Sequence, residues 1–220
     1  MRIVTEDSSW ASLPDPAQDL VLDTRTMRAL AHPVRVQILG LLRDQGPSTA
    51  TRLAQQLGLN SGATSYHLRS MAAAGLIAEE ADRGNGRDRW WQAAHRATFY
   101  DTAHLPPAER EMGAAYLGAV AALYAQRMQR AVGEYPALPD EWLQSWTLSD
   151  FRLRLTPAES RQLMLDLLAV IGRYRSEDDD AADTGQQAAP VIVQLQGFLR
   201  PGWLSAGQDP PARGPEEGAP

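Results

Sequence analysis

The stretch NSGATSYHLRSMAAAGL, Asn60 to Leu76, carries Ser61, Thr64, Ser65, Tyr66, His67 and Arg69 in its first turns, then a run of alanines and Gly75. At 3.6 residues per turn, Thr64, Leu68, Met71 and Gly75 recur on one face and Gly62, Ser65, Tyr66 and Arg69 on another. The first face is expected to point inward. The second is short, neutral or basic, rich in donors and free of acids. Its serines can serve a base or a phosphate, Tyr66 can donate to phosphate or stack, and Arg69 can pair with phosphate or guanine. Small residues at 62, 63 and 72 to 74 allow close approach of a neighbour. A face of this kind recognises a surface and performs no reaction.

Upstream, LDTRTMRALAHPVRVQILGLLRDQG places Leu22, Met27, Leu30, Val34, Val36, Ile38, Leu41 and Leu42 at helical spacings. Pro33 suits the first turn of a helix, so two helices are expected to meet at His32 and Pro33. The second stops at Gln45 and Gly46, and Ser48 or Thr49 can cap a third, TATRLAQQL, ending at Gly58, where glycine permits a left-handed cap. The short turn from Gly58 to Asn60 leads into a helix over 61–74, a helix-turn-helix arrangement. Downstream, Gly84, Asn85 and Gly86 suit a hairpin tip ahead of Trp90 and Trp91, which makes 77–92 a basic hairpin. Residues 19–104 therefore read as a winged helix-turn-helix. Arg83, Asn85, Arg87 and Arg89 are its candidate contacts, on phosphates or in the minor groove, tempered by Glu79, Glu80, Asp82 and Asp88.

The chain has 220 residues, 44% of them apolar, enough for one mid-sized domain or two small ones. It has no cysteine, which excludes disulfides, thiolate metal sites and cysteine nucleophiles. No run approaches the roughly 20 apolar residues of a membrane span, and MRIVTEDSSWASLPD lacks the basic start and apolar middle of a secretory signal. A soluble, cytoplasmic protein is expected. All 21 basic residues are arginine and the formal charge is −6. Between Asp23 and Phe99, however, ten arginines face six acids, so that segment is +4 and the remainder −10. One part can attract a polyanion while the rest keeps the molecule soluble.

Residues 1–18 mix Ser, Asp and Pro without periodicity, and the tail over 205–220 reads the same way, as disordered ends. Residues 105–133 read as one long helix, with acids in PAERE complementing its dipole and Met112, Tyr116, Val120, Leu123, Tyr124, Met128 and Ala131 at spacings of mostly three and four. Residues 134–204 read as a C-terminal α/β module. In it FRLRL alternates like a strand, TPAE is a capping box with Pro157 at the first helical position, and PVIVQLQGFL is a second strand after the acidic loop SEDDDAADTGQQ. A helical crossover of that length permits parallel pairing of the two strands. The fold class is mainly α with small β.

MRALAHPVRVQILGLL, STATRLAQQLGLNSGATSYHLRSMAAAGLI and the RGNGRDRWW wing, roughly Leu22 to Phe99, resemble the ArsR-type winged-helix transcriptional regulators. The resemblance implies a dimer whose first and post-wing helices form the interface, with Ser61, Gly62, Ser65, Tyr66 and Arg69 facing the DNA groove. It does not reach the final third. Many members of that family sense metals through cysteines on the third helix, or through Asp, His and Glu ligands on paired post-wing helices. This chain has no cysteine, and neither His nor Asp between Pro107 and Val132, so no metal or other cofactor is expected. Asp101 and His104 offer two ligands where zinc wants about four.

The expected function is a homodimeric, sequence-specific DNA-binding transcriptional regulator, a repressor by preference, on double-stranded DNA carrying an inverted-repeat operator. Two alternatives stand beside it. One is a protein-interaction winged helix whose acidic C-terminal part docks a basic partner. The other is a regulator gated by a small apolar effector, with Trp142 and Trp146 as a candidate wall, although core packing suits those rings better. His67 lies near the inward phase and suits packing; His32 suits a structural cap. No enzyme is expected: all four histidines precede the last third, which also lacks cysteine and lysine. Asp166 falls on the surface of its helix.

Overall fold

A computed structural model describes residues 18–83, 88–100, 109–174, 188–203 and 205. The chain divides into two compact units, Met1–Leu143 and Gln144–Pro220. The lead-in before residue 18, the wing tip at 84–87, the Asp101–His104 group and most of the tail, together with the acidic loop, lie outside the described residues.

The first unit begins with β1 (Asp19–Val21) and α1 (Thr24–Leu30). Asp23 caps α1, its Oδ1 accepting from the Thr26 amide at 2.7 Å, while the Thr26 hydroxyl accepts from the Asp23 amide at 2.9 Å. Helix α2 (Pro33–Gln45) follows with Pro33 at its first position, as expected, and His32 as its cap: Nδ1 accepts from the Val34 amide at 3.3 Å. A two-residue strand β2 (Ser48–Thr49) precedes α3 (Ala50–Leu57), which Thr49 caps by accepting from the Arg52 amide. Gly58 closes α3 at φ +66°, a left-handed conformation that carries no Cβ penalty for glycine. Helix α4 (Ser61–Ala73) starts from Asn60, whose Oδ1 accepts from the Ala63 amide at 2.7 Å.

The wing strands are β3 (Ile77–Glu79) and β4 (Trp90–Ala93), paired antiparallel with Ile77 opposite Ala93 and Glu79 opposite Trp91. Strand β2 pairs with the other edge of β4, which gives the order β2-β4-β3. Period-two alternation turns Trp91 into the core at 7% exposure and leaves Trp90 half-buried on the opposite face. A second, parallel pair joins β1 to β5 (Ala97–Phe99). The sequence reading contained neither this pair nor β2. Arg96 completes the β1 contact, donating from Nη2 to Asp19 Oδ2 at 3.4 Å.

Helix α5 (Arg110–Glu134) spans the expected long stretch. The Thr24 hydroxyl donates to the Glu109 carboxylate at 2.9 Å, fixing the start of α5 beside α1. Gly40 lets α2 and α5 close on each other, since a Cβ there would come 3.2 Å from Leu123 Cδ2. Tyr116 and Ala119 join the core, with Met112, Val120 and Leu123 packed against it. Met112, Tyr116, Val120 and Leu123 of the stripe thus pack inside one chain, whereas Ala114, Leu117, Gly118, Ala121, Ala125 and Val132 are exposed on α5. The unit closes with α6 (Asp140–Leu143).

In the second unit, α7 (Pro157–Ile171) forms with the expected capping box: Thr156 Oγ1 accepts from the Glu159 amide, and Glu159 Oε2 accepts from the Thr156 amide at 2.7 Å. Asp166 is exposed, as expected, and accepts from Gln162 at 2.8 Å. The flanking segments correct the expected strands. Residues 151–155 and 190–199 run without any ladder among the described residues. Composition supplies strand propensity, but a strand also needs a paired backbone, and neither segment has that partner among the described residues.

The core sits where α1 to α5 converge, around Met27, Leu30, Ile38, Leu53, Leu68, Met71 and Leu76, each at most 1% exposed. Leu68→Ala should therefore lower the stability of the first unit by about 2–5 kcal/mol. Tyr66→Ala, two residues away and 60% exposed, should change it by less than about 0.5 kcal/mol. Urea unfolding of the two variants measures the contrast, and equal losses would contradict this packing.

At the junction of α2 and α4, Arg35 donates from Nε to His67 Nδ1 at 3.4 Å and from Nη1 to the Ala29 carbonyl at 3.1 Å, and the His32 and His67 rings lie 4.7 Å apart. Burial first, then His32 and the Arg35 guanidinium, hold His67 below its ordinary pKa. The unfolded chain protonates His67 near pH 6.5 while the folded protein keeps it neutral. This contribution to stability is complete above about pH 6.5 and is lost as the pH falls from there toward the lowered folded value. His67→Gln should flatten the loss of stability between about pH 7 and pH 5 in urea titrations; a slope equal to that of the parent chain would refute this role.

Candidate nucleic-acid interface

Helix α4 divides as its phase dictates. Thr64, Leu68 and Met71 are fully buried, and the Thr64 hydroxyl donates back to the Asn60 carbonyl at 3.0 Å, so its one polar group is satisfied inside. Ser61, Gly62, Tyr66 and Arg69 are exposed and Ser65 is half-buried. Gly75 departs from the inward phase expected of it. It lies outside the helix, exposed, at φ +79°. Its amide donates to Ala72 and that of Leu76 to Met71, a C-terminal closure that needs a left-handed residue at position 75.

The far end of α4 is held by Arg25 on α1, whose Nη2 donates to the Ala73 carbonyl. A cation at a helix C-terminus complements the negative end of its dipole. Four of the basic segment's arginines are committed in this way to the protein's own backbone or acids. Arg25 and Arg35 bind carbonyls, Arg43 donates to the His95 carbonyl at 3.1 Å, and Arg96 pairs with Asp19. Arg43 is desolvated by burial, which lowers its pKa. Arg69 differs: it is exposed and has no ion-pair partner among the described residues. It shares its face with Gly62, Ser65 and Tyr66 at spacings of three and four residues, and no acid lies on that face.

The wing root carries two further exposed cations. Arg83 Nη1 lies 3.5 Å from Glu80 Oε2, and Arg89 Nε lies 3.7 Å from Glu79 Oε1. These are the tempering acids expected from the sequence; exposed pairs of this kind hold weakly and exchange readily for another anion. Trp90 is flanked by two guanidinium groups, Arg52 from α3 at 4.8 Å and Arg83 at 5.3 Å from the ring centroid. Sequence reasoning missed this contact, in which the wing root is joined to α3 through a cation–π stack. Asn85 and Arg87 lie outside the described residues.

Among the described residues no group of three or more His, Asp or Glu could hold a metal. A groove of about 210 Å³ between α2 and α5 is lined by Leu41, Leu57 and Leu123, but the Asp44–Arg127 pair at 2.6 Å also lines it and makes it polar. Gln37 and Gln126 bond across it at 3.0 Å. Of the tyrosine, leucine and methionine stripe on α5, only Leu123 reaches that groove. Trp142 belongs to the first unit and Trp146 to the second. No described helix is long and apolar enough to cross a membrane.

Residues 30–80 match a family model described as a helix-turn-helix domain. Among solved structures, a possible transcriptional regulatory protein from Mycobacterium bovis, fragment 1–100, is 31% identical over 32% of this chain and 71% of its own, with a TM-score of 0.29. The homodimeric winged helix-turn-helix DNA-binding domain of a possible ArsR-family regulator from the same organism, also fragment 1–100, is 24% identical over 49% and 81%, with a TM-score of 0.30. An apo-form mutant of ZitR from Lactococcus lactis is 18% identical over 65% and 82%, with a TM-score of 0.27. No curated protein matches the chain. The matched family segment runs from the end of α1 through α4 to the first wing strand, the part whose geometry is described above. Through it the chain carries a helix-turn-helix domain over residues 30–80.

Proposed function

We propose that this protein is a homodimeric, sequence-specific transcriptional repressor of the cytoplasm that seats α4 in the major groove of an inverted-repeat operator. Ser61, Gly62, Ser65, Tyr66 and Arg69 meet the groove, and Arg83, Arg89, Asn85 and Arg87 of the wing meet the backbone or minor groove. The observation that carries this reading is the division of α4. One face is locked into the core by Thr64, Leu68 and Met71, and the opposite face presents Tyr66 at 60% exposure beside Arg69, which has no ion-pair partner among the described residues. A guanidinium left in water with no acid on its face costs nothing to expose and gains most from a phosphate or a guanine edge. The exposed stripe of α5, with alanines and a glycine permitting close approach, supports pairing of two protomers. Two recognition helices then enter successive major grooves about 34–36 Å apart.

Arg69→Ala should weaken binding to a genomic fragment selected by the parent protein about 10- to 100-fold at physiological salt, in line with the 1–3 kcal/mol of a good base contact. Its urea midpoint should stay unchanged, because the side chain is exposed. Fluorescence anisotropy at two salt concentrations, with specific and nonspecific competitor, reads both affinity and selectivity. Parent-like affinity in a combined Tyr66→Ala and Arg69→Ala variant would overturn the assignment of α4 and favour a protein-docking role for this winged helix.

A further inference from the structure

The second unit has no interior of its own. Among its described residues none is buried, whereas the first unit has a continuous core. Of the nineteen large apolar side chains that stand exposed among the described residues, fourteen belong to this unit, so the imbalance is concentrated in one place. Phe151 is 81% exposed, Ile192 63%, Val193 67% and Phe198 77%. Fourteen such side chains together present on the order of 1,000 Å² of apolar surface, comparable to the ~800 Å² per partner of a stable complex.

The segment 190–199 is the centre of that surface. It is seated on α7 at Gly197, where a Cβ would come 3.0 Å from the Met164 sulfur. Its backbone amides and carbonyls pair with no other backbone group among the described residues. Gln194 Nε2 is shielded from solvent without an acceptor there. Edge strands that must stay single are usually blunted by a charge, a proline or a bulge. Residues 191–199, VIVQLQGFL, contain no charge, and the segment's one proline, Pro190, stands at its start, where a strand tolerates it.

We propose that a second copy of this chain completes the unit, with residues 190–199 of the two protomers pairing antiparallel across a two-fold axis and covering the apolar surface around α7. A second copy is the occupant that these features select. A neutral segment pairs with itself without like-charge repulsion, the summed apolar area is of the order a stable dimer needs, and a two-fold contact closes on itself. The proposal rests on the homodimer read above, and adds to α5 a second contact between protomers.

The chain has no cysteine, so one introduced at an exposed position carries a single spin label per protomer. Full-length protein labelled at Val191→Cys, Val193→Cys, Leu195→Cys or Phe198→Cys should give interspin distances by double electron–electron resonance that change by about 6.6 Å for each residue moved away from the axis, twice the rise of a strand. A label at Leu117→Cys on α5 serves as the reference for the other contact. Coupling at Leu117 with no coupling along 191–198, or with distances that ignore residue number, would overturn the proposal and leave the α5 dimer standing. Coupling at neither would overturn both. A graded series along 191–198 without coupling at Leu117 would uphold the C-terminal pairing and reject α5 as the dimer surface.

Discussion

The burial of Thr64, Leu68 and Met71 is the constraint on which the functional surface depends. Sealing a leucine or methionine in the core is worth about 1.5–3 kcal/mol each, so this stripe sets the rotation of α4 about its axis. Turning the helix by one residue would expose the stripe and push Arg69 toward the interior, where an unpaired guanidinium costs several kcal/mol. Burial thus decides which side chains face outward. The helix ends reinforce the choice, with Asn60 holding the start and Arg25 the carbonyl of Ala73. Tyr66 and Arg69 are presented by a rigid element whose orientation the core enforces.

Charge is partitioned with similar economy. The basic segment has ten arginines, yet Arg25, Arg35, Arg43 and Arg96 bind carbonyls or a buried acid and hold elements together. Arg43 is desolvated and Arg96 secures β1 against the strand that follows the wing. Those left facing solvent include Arg69 on α4 and Arg83 and Arg89 at the wing root. The attraction for a polyanion is therefore more localised than a count of arginines implies. The surplus of acid elsewhere in the chain discourages binding in other orientations.

Much of this was legible because helix ends are written in single residues. Pro33, Thr49, Gly58, Thr156 and Glu159 each act where their chemistry predicts, and the inward stripe of α4 follows from spacing alone. Gly75 was misread, since periodicity assigns a face to every residue and a capping glycine obeys backbone geometry instead. The short strands β1, β2 and β5 escaped because two or three residues carry no period, and their pairing is decided by partners distant in sequence. The double stack on Trp90 joins residues 38 apart and has no local signature. In the C-terminal unit, composition marked two apolar strands that the described residues do not form, because strand propensity supplies no backbone partner.

The two units thus pose complementary physical problems. The first is closed around its core and exposes a polar, cationic helix face; the second exposes apolar surface that a closed protein would cover. On the readings proposed above, the first surface meets DNA and the second meets another protomer. The most direct test of the DNA-facing claim is a backbone amide NMR titration of the protein with a selected genomic duplex. Shifts concentrated in Ser61–Arg69 and around Arg83 and Arg89 are predicted, with the amides of Leu68 and Met71 following through the helix. Saturable duplex binding that leaves Ser61–Arg69 unmoved and shifts other surfaces would contradict the account.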